Sequence, residues 1–167
     1  MKNIIEVFSD TKLLKWKNCV FSCNLGASGV VYEKIEGDKC TPIGVFPIRE
    51  ILYRKDKIEF LNTKIKKTPI EKDFLWSDDP KDLNYNKLVK GPYEPSHEKL
   101  WRKDDAYDLI VVIGYNDNPV IEKKGSAIFL HCSTSKNSKT EGCVSLEKNN
   151  LIKIAESLEY DTLIKIL

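Results

Sequence analysis

Several familiar features are missing from this sequence. No apolar run approaches the roughly 20 residues that a membrane-spanning helix needs, so stable insertion by a helix is not expected. There is no P-loop and no dinucleotide-binding glycine fingerprint. The nearest approach to GxSxG is "GASG", one residue short. These absences set aside the common nucleotide-binding and serine-hydrolase readings. CxxC pairs are missing as well, and the five cysteines, Cys19, Cys23, Cys40, Cys132 and Cys143, are odd in number. At least one thiol therefore stays free in a monomer. Repeats, low-complexity tracts and a convincing linker are also absent. The N-terminal "MKNIIEVFSDTKLLKW" does not read as a signal peptide, because Glu6 breaks its apolar stretch and no small-residue cleavage pattern follows.

Charge of one sign is scarce too, the net being only +2. The most basic stretch, Arg54 to Lys72, sets seven Lys/Arg (54, 55, 57, 64, 66, 67, 72) against three acids (56, 59, 71). That is a weaker footprint than polyanion binding usually leaves, so it reads as solvated surface and no nucleic-acid partner is expected. What is present suits an ordinary globular chain. Its 167 residues fit one domain over 1–167, expected as a monomer. Hydrophobic content of 41% supplies a core, and charged content of 31% supplies a solvated surface.

Short strand-like runs dominate. "IIEVF" and "KLLKW" flank Ser9-Asp10-Thr11 as a hairpin would. "CVFSCNL" reads as a strand on which Cys19 and Cys23 share a face and pack. "VVYEKI" reads as another. "VFPIREILYR" contains Pro47, which suggests an edge or a bend. The polar middle, 63–103, reads as long loops with short helices at 83–90 and 97–102. Within it Trp76 and Trp101 read as loop anchors. "YDLIVVIGYN" is the strongest strand, β-branched and long enough to be central, and Asn116-Asp117-Asn118-Pro119 turns after it. "AIFLH" and "CVSL" are further strands. "EKNNLIKIAESL" has the apolar spacing of an amphipathic helix, and "DTLIKIL" reads as a last strand. The expected class is mainly β with minor α, a sandwich or barrel-like sheet.

Chemistry gathers in "AIFLHCSTSKNSKTEGCVSL". His131, one of only two histidines, ends a strand, and Cys143 opens the next after eleven intervening residues. A thiol attacks as thiolate, and at a free pKa of about 8.5 only a few per cent is ionised at neutral pH, so a neighbouring imidazole is the natural base. Gly142 permits a tight turn, and amides at Gly142 and Cys143 suit an oxyanion hole. Two other readings fit the same residues: buried cysteines that only pack, and a metal held by His131, Cys132 and Cys143, for which no fourth ligand is obvious and His97 is the candidate.

This stretch resembles the active-site segment of the L,D-transpeptidase catalytic domain (YkuD-like) family, in which a strand-end His precedes Ser/Thr-x-Gly-Cys and an apolar residue. Here those are His131 and Thr140-Glu141-Gly142-Cys143-Val144. "TPIGVF", Thr41 to Phe46, is similar to the family's upstream TPxGxF segment. "YNKLV", "SHEKLWR" and "YDLIVVIGYNDNP" resemble a bacterial branch that consists of little more than the catalytic domain. The resemblance runs from about Val20 onward. It implies a β-sandwich of mixed sheets, Cys143 as nucleophile, His131 as base oriented by the Cys132 carbonyl, and oxyanion amides at Gly142 and Cys143. Thr140, Glu141, His97, Tyr115 and Asn116 are the candidate substrate-binding residues; turn and packing roles are the alternative for Tyr115 and Asn116, and a polar surface position for His97. The implied reaction is acyl transfer between peptidoglycan stem peptides through a thioester, forming three-to-three crosslinks, or hydrolysis if water is the acceptor. Neither a cofactor nor a metal is implied. Carbapenem acylation of Cys143 is a further implication. The cell envelope is the expected location, with the cytoplasm open because no leader is seen. Glu141 stands where many members have His, and Ser145 where many have Arg; both differences bear on donor recognition, and Glu141 places a negative charge beside the thiol.

Overall fold

The strand at Leu109–Ile113 organises the molecule because it is buried on both faces. Its side chains alternate between two cores: Leu109, Val111 and Ile113 enter one, Ile110 and Val112 the other. A strand buried on both sides must be apolar at every position, which accounts for the unbroken "LIVVI". The structure is a computed structural model and describes residues 3–134 and 139–167.

In chain order the elements are β1 (Ile4–Phe8), β2 (Leu13–Trp16), β3 (Cys19–Ser22), β4 (Val30–Val31), β5 (Thr41–Pro42), β6 (Gly44–Tyr53), β7 (Lys67–Pro69), β8 (Phe74–Ser77), β9 (Leu88–Lys90), β10 (His97–Lys99), β11 (Leu109–Ile113), β12 (Phe129–Cys132), β13 (Val144–Leu146), α1 (Lys148–Glu156) and β14 (Leu163–Ile166). The main sheet runs β13-β12-β11-β6-β14-β1-β2-β3, with β7 beside β6. It is mixed: β12–β13, β1–β14 and β6–β7 are parallel, the other pairs antiparallel. The sheet curls so far that its two ends meet. Asn24, just past β3, exchanges backbone hydrogen bonds with Ser145 of β13 at 2.7 and 3.0 Å. The class is mainly β with mixed sheets, as expected, and the principal sheet is nearly a closed barrel.

The hairpin at residues 9–12, the amphipathic helix and the final strand are where the pattern puts them. Glu147 caps α1 by accepting from the amides of Asn149 and Asn150, and Leu151, Ile154 and Ala155 are buried. Other expectations are corrected. The middle of the chain does not form helices at 83–90 and 97–102. It forms an antiparallel sheet, β10-β8-β9, over the second core. Asn86 has a left-handed φ of 58°, which interrupts any helix there, and its side chain is committed to Trp76 and to the carbonyls of Tyr115 and Asn116. Trp76 is therefore a buried strand residue, while Trp101 carries the Arg54 guanidinium 3.6 Å above its ring. "VVYEKI" is strand only at Val30–Val31, and the chain then turns so that Lys34 is buried.

Pro47 lies inside the sheet, at the point where β6 changes partner from β14 to β11; beside it the pairing with β11 skips a residue between Val112 and Ile113. A bend there tolerates the missing donor. Cys19 is exposed at the sheet edge while Cys23, beyond the end of β3, is buried, so the two do not pack as a pair. The basic stretch is largely paired within the fold: Arg54 with Asp56, Lys57 with Asp105 and Asp108, Lys64 with Glu159, and Lys66 with Glu50.

Candidate active site

Parallel pairing of β12 with β13 brings the two chemical residues together. Leu130 pairs with Val144, so Cys143 falls beside Phe129. Strand alternation then sorts the side chains. Leu130 and Cys132 point into the first core, and Phe129 and Cys143 into the second. His131 leans over the second side, with its ring edge-on to Tyr107 at 5.2 Å. Both His131 and Cys143 line a cavity of about 540 Å³. The Cys132 thiol faces away, toward the carbonyl of Leu109 at 3.9 Å, so the three residues of the metal reading do not converge. Among the described residues no group of three His, Cys, Asp or Glu side chains is placed to hold an ion.

His131 Nδ1 lies 2.9 Å from the Cys132 carbonyl. A carbonyl only accepts, so Nδ1 carries the proton and Nε2 keeps its lone pair. Burial holds the imidazole below its ordinary value, hence neutral at pH 7. The Cys143 thiol rests protonated. It donates to the Ala127 carbonyl at 3.1 Å and accepts the Phe129 amide at 3.4 Å. Burial pushes it up to about 12, and the Glu98 charge adds to this, while the Phe129 amide and Lys34 pull the other way. The acid that raises the thiol is thus Glu98. Glu141 is 79% exposed at the rim, with Lys39 at 3.5 Å.

The turn before Cys143 is fixed by two threonines. Thr140 Oγ1 donates to the Cys143 carbonyl at 2.6 Å and accepts the Gly142 amide at 3.1 Å. Thr41, from "TPIGVF", donates to the same carbonyl at 3.5 Å. The two motifs, about a hundred residues apart in sequence, are therefore one structural unit. This also corrects the expected oxyanion hole. The Gly142 amide is already spent on Thr140, which leaves the Cys143 amide, for which the described residues offer no acceptor.

His97, Thr140 and Glu141 line the cavity. His97 is anchored by Nδ1 to the Pro95 carbonyl at 2.7 Å. Tyr115 and Asn116 lie elsewhere. Tyr115 packs edge-on against Phe46 and donates to the Lys124 carbonyl, while Asn116 spends its amide on Ile121 and Gly125. Their polar atoms hold the turn after β11, so neither is placed to bind substrate. Among the cavity residues not singled out from sequence are Lys34, Glu98, Arg102 and Tyr107. Tyr107 donates to Glu98, and Arg102 lies 3.8 Å from the same carboxylate. The only sequence signal for Glu98 was its neighbour His97; Lys34 gave none. Residues 135–138 of the His-to-Cys loop lie outside the described residues.

Burial of thiols also has a stability consequence. Cys23, Cys132 and Cys143 are raised from 9.0 to about 11, about 12 and about 12. Above pH 9 the unfolded chain loses these protons while the folded chain keeps them. This contribution to stability is complete below pH 9 and is lost as pH rises toward 12. The melting temperature is expected to fall as pH rises from about 9 toward 12, and Cys132→Ala should flatten that fall. An equally steep fall in the variant would refute the assignment to the thiols.

The fold and cavity define a mainly β protein with a cysteine and a neutral histidine lining one cavity. The chain belongs to the L,D-transpeptidase catalytic domain family (YkuD), whose model matches residues 2–166. A search among curated proteins finds no match. Among solved structures, Bdellovibrio bacteriovorus Bd1075 is similar with 14% identity and a TM-score of 0.52, covering 99% of this chain and 48% of that one. The helical cell shape determining protein of Campylobacter jejuni aligns with 15% identity and a TM-score of 0.50, covering 98% of this chain and 46% of that one. Mycobacterium tuberculosis L,D-transpeptidase 1 aligns with 10% identity and a TM-score of 0.47, covering 98% and 58%. The chain thus spans about half the length of these proteins.

Proposed function

We propose that residues 1–167 form one catalytic domain that transfers acyl groups between peptidoglycan stem peptides, with Cys143 as nucleophile and His131 as base. The observation that carries this reading is the shared cavity: a thiol and an imidazole both line it, and the imidazole Nδ1 is fixed by the Cys132 carbonyl, which leaves the lone pair on Nε2. Sγ attacks the carbonyl between the diamino acid at position three and the terminal D-alanine as Nε2 takes the thiol proton. The C–N bond then breaks, and His131 returns that proton to the departing amine, leaving a thioester. An amine from a second stem attacks the thioester, the C–S bond breaks, and a three-to-three crosslink forms with the thiol restored. With water as acceptor the same steps give an L,D-carboxypeptidase. Family membership favours action at the cell envelope. Among the described residues no helix is long and apolar enough to cross a membrane.

The rival is a module that binds stem peptides without chemistry, and the buried thiol, raised to about 12, is the observation on its side. Incubation with tetrapeptide muropeptides, followed by mass spectrometry, separates the two. The acyltransferase is expected to release D-alanine and to yield crosslinked or trimmed products, and Cys143→Ala should yield neither. Binding without turnover by the wild-type chain, or unchanged turnover by Cys143→Ala, would sink the proposal.

A further inference from the structure

Lys34 is only 3% exposed, yet the catalytic roles described so far do not use it. Its Nζ pairs with Asp38 Oδ1 at 2.6 Å, and Asp38 is held in turn by the amides of Ile35 and Cys40, both at 2.8 Å. The stem crosses Gly125 so closely that a Cβ there would stand 2.8 Å from Lys34 Cε. This delivers Nζ to 3.4 Å from the point where a Cβ on Gly142 would sit, beside the nucleophile.

An ammonium has three N–H donors, and Asp38 is the acceptor that Lys34 has among the described residues. A buried charge with donors to spare is costly unless something meets them. The other cavity cations are placed differently. Arg102 is bound to Asp104 and lies near Glu98, and Lys139 is exposed. The backbone leaves a deficit at the same spot, because the Gly142 amide donates to Thr140.

Building on the acyltransferase reading, we propose that Lys34 is a catalytic residue, the charged member of an oxyanion hole that it shares with the Cys143 amide. As the Sγ–C bond forms, the carbonyl electron pair moves onto oxygen, and Nζ–H of Lys34 meets the charge that develops there. When the C–N or C–S bond breaks, the pair returns to the carbonyl and Lys34 is released unchanged. Asp38 keeps the ammonium aimed and offsets part of its burial cost.

The test compares two reactions of the Cys143 thiol. Acylation by a carbapenem passes through an oxyanion, whereas alkylation by iodoacetamide does not. Both are followed by peptide-level mass spectrometry at Cys143 in the full chain, which separates it from the exposed Cys19, from about pH 6 to 10, in wild type, Lys34→Met and Lys34→Arg; this range brackets ordinary histidine and cysteine titration. Lys34→Met should lower the limiting acylation rate by about 10²–10³-fold, as loss of one oxyanion donor does elsewhere. The concentration giving half that rate should move little, and alkylation should change by less than about tenfold. Lys34→Arg should recover most of the acylation. Lys34→Gln, which can still donate to Asp38, is the second neutral variant if Lys34→Met does not fold. Three results would overturn the proposal: unchanged acylation, an equal fall in both reactions (Lys34 then acts on the thiol), or a change confined to the half-saturating concentration (it then binds a substrate carboxylate). If wild-type Cys143 forms no carbapenem adduct and turns over no muropeptide, the acyltransferase reading itself fails, a result distinct from the three above.

Discussion

His131→Ala is expected to slow acylation of Cys143 by about 10²–10⁴-fold, the usual range for a positioned general base. The thiol of the resting site lies at about 12 and donates a hydrogen bond to the Ala127 carbonyl, which cannot take the proton from it. Without an imidazole, attack depends on the small fraction of thiolate that solvent hydroxide produces. The pH profile carries the diagnosis. Burial depresses His131, so in wild type the base form should persist as pH falls below 6.5, and the rate should hold there. In the variant the rate should climb with pH throughout, with no plateau near neutrality. His131→Gln keeps much of the side-chain volume and should behave like alanine. A wild-type profile that rises toward pH 12, as the variant's does, would mean that His131 takes no proton.

Gly142→Ala should be nearly as damaging, by a different route. Gly142 has φ of +136°, and a Cβ there would stand 2.8 Å from the Cys40 carbonyl. The first feature costs about 1–3 kcal/mol of backbone strain. The second pushes the Cys143 turn away from the segment that carries Thr41. A shift of about 1 Å at a nucleophile can cost about 10²-fold in rate. Denaturant unfolding and carbapenem acylation should therefore both register the change. Gly29→Ala is the control: its φ is +89° but its Cβ would meet open space, so it pays strain without the clash. Equal stability losses in the two variants would show that contact with Cys40 does not matter.

The part of the site that was legible in the sequence is local. His131 ends a strand, a glycine precedes Cys143, and Cys132 supplies a carbonyl one residue from the imidazole. Each of these depends on neighbours in the chain. "LIVVI" gave a central strand because burial on both faces demands apolar residues at every position. "TPIGVF" and "TEGCV" were recognisable as two motifs, but not as one unit, because Thr41 and Cys143 meet only after β12 and β13 pair.

The errors have a common physical origin. The middle strands lack strong alternation because β8 is buried at all four positions and its partners are short, so pairing across the sheet decided what propensity could not. Glu141 looked like the charge beside the thiol because it is only two residues away in sequence, yet it is exposed in the bend before β13, and the fold brings in Glu98 from β10. Lys34 read as an ordinary polar strand residue. By itself, then, the sequence determined the candidate residues, since the proposed nucleophile, the proposed base and the glycine turn are written within one short segment. Only the tertiary structure decided the electrical setting of that chemistry, with a protonated thiol, a spent Gly142 amide and an ammonium beside it, because burial and charge depend on what distant segments bring within a few ångströms.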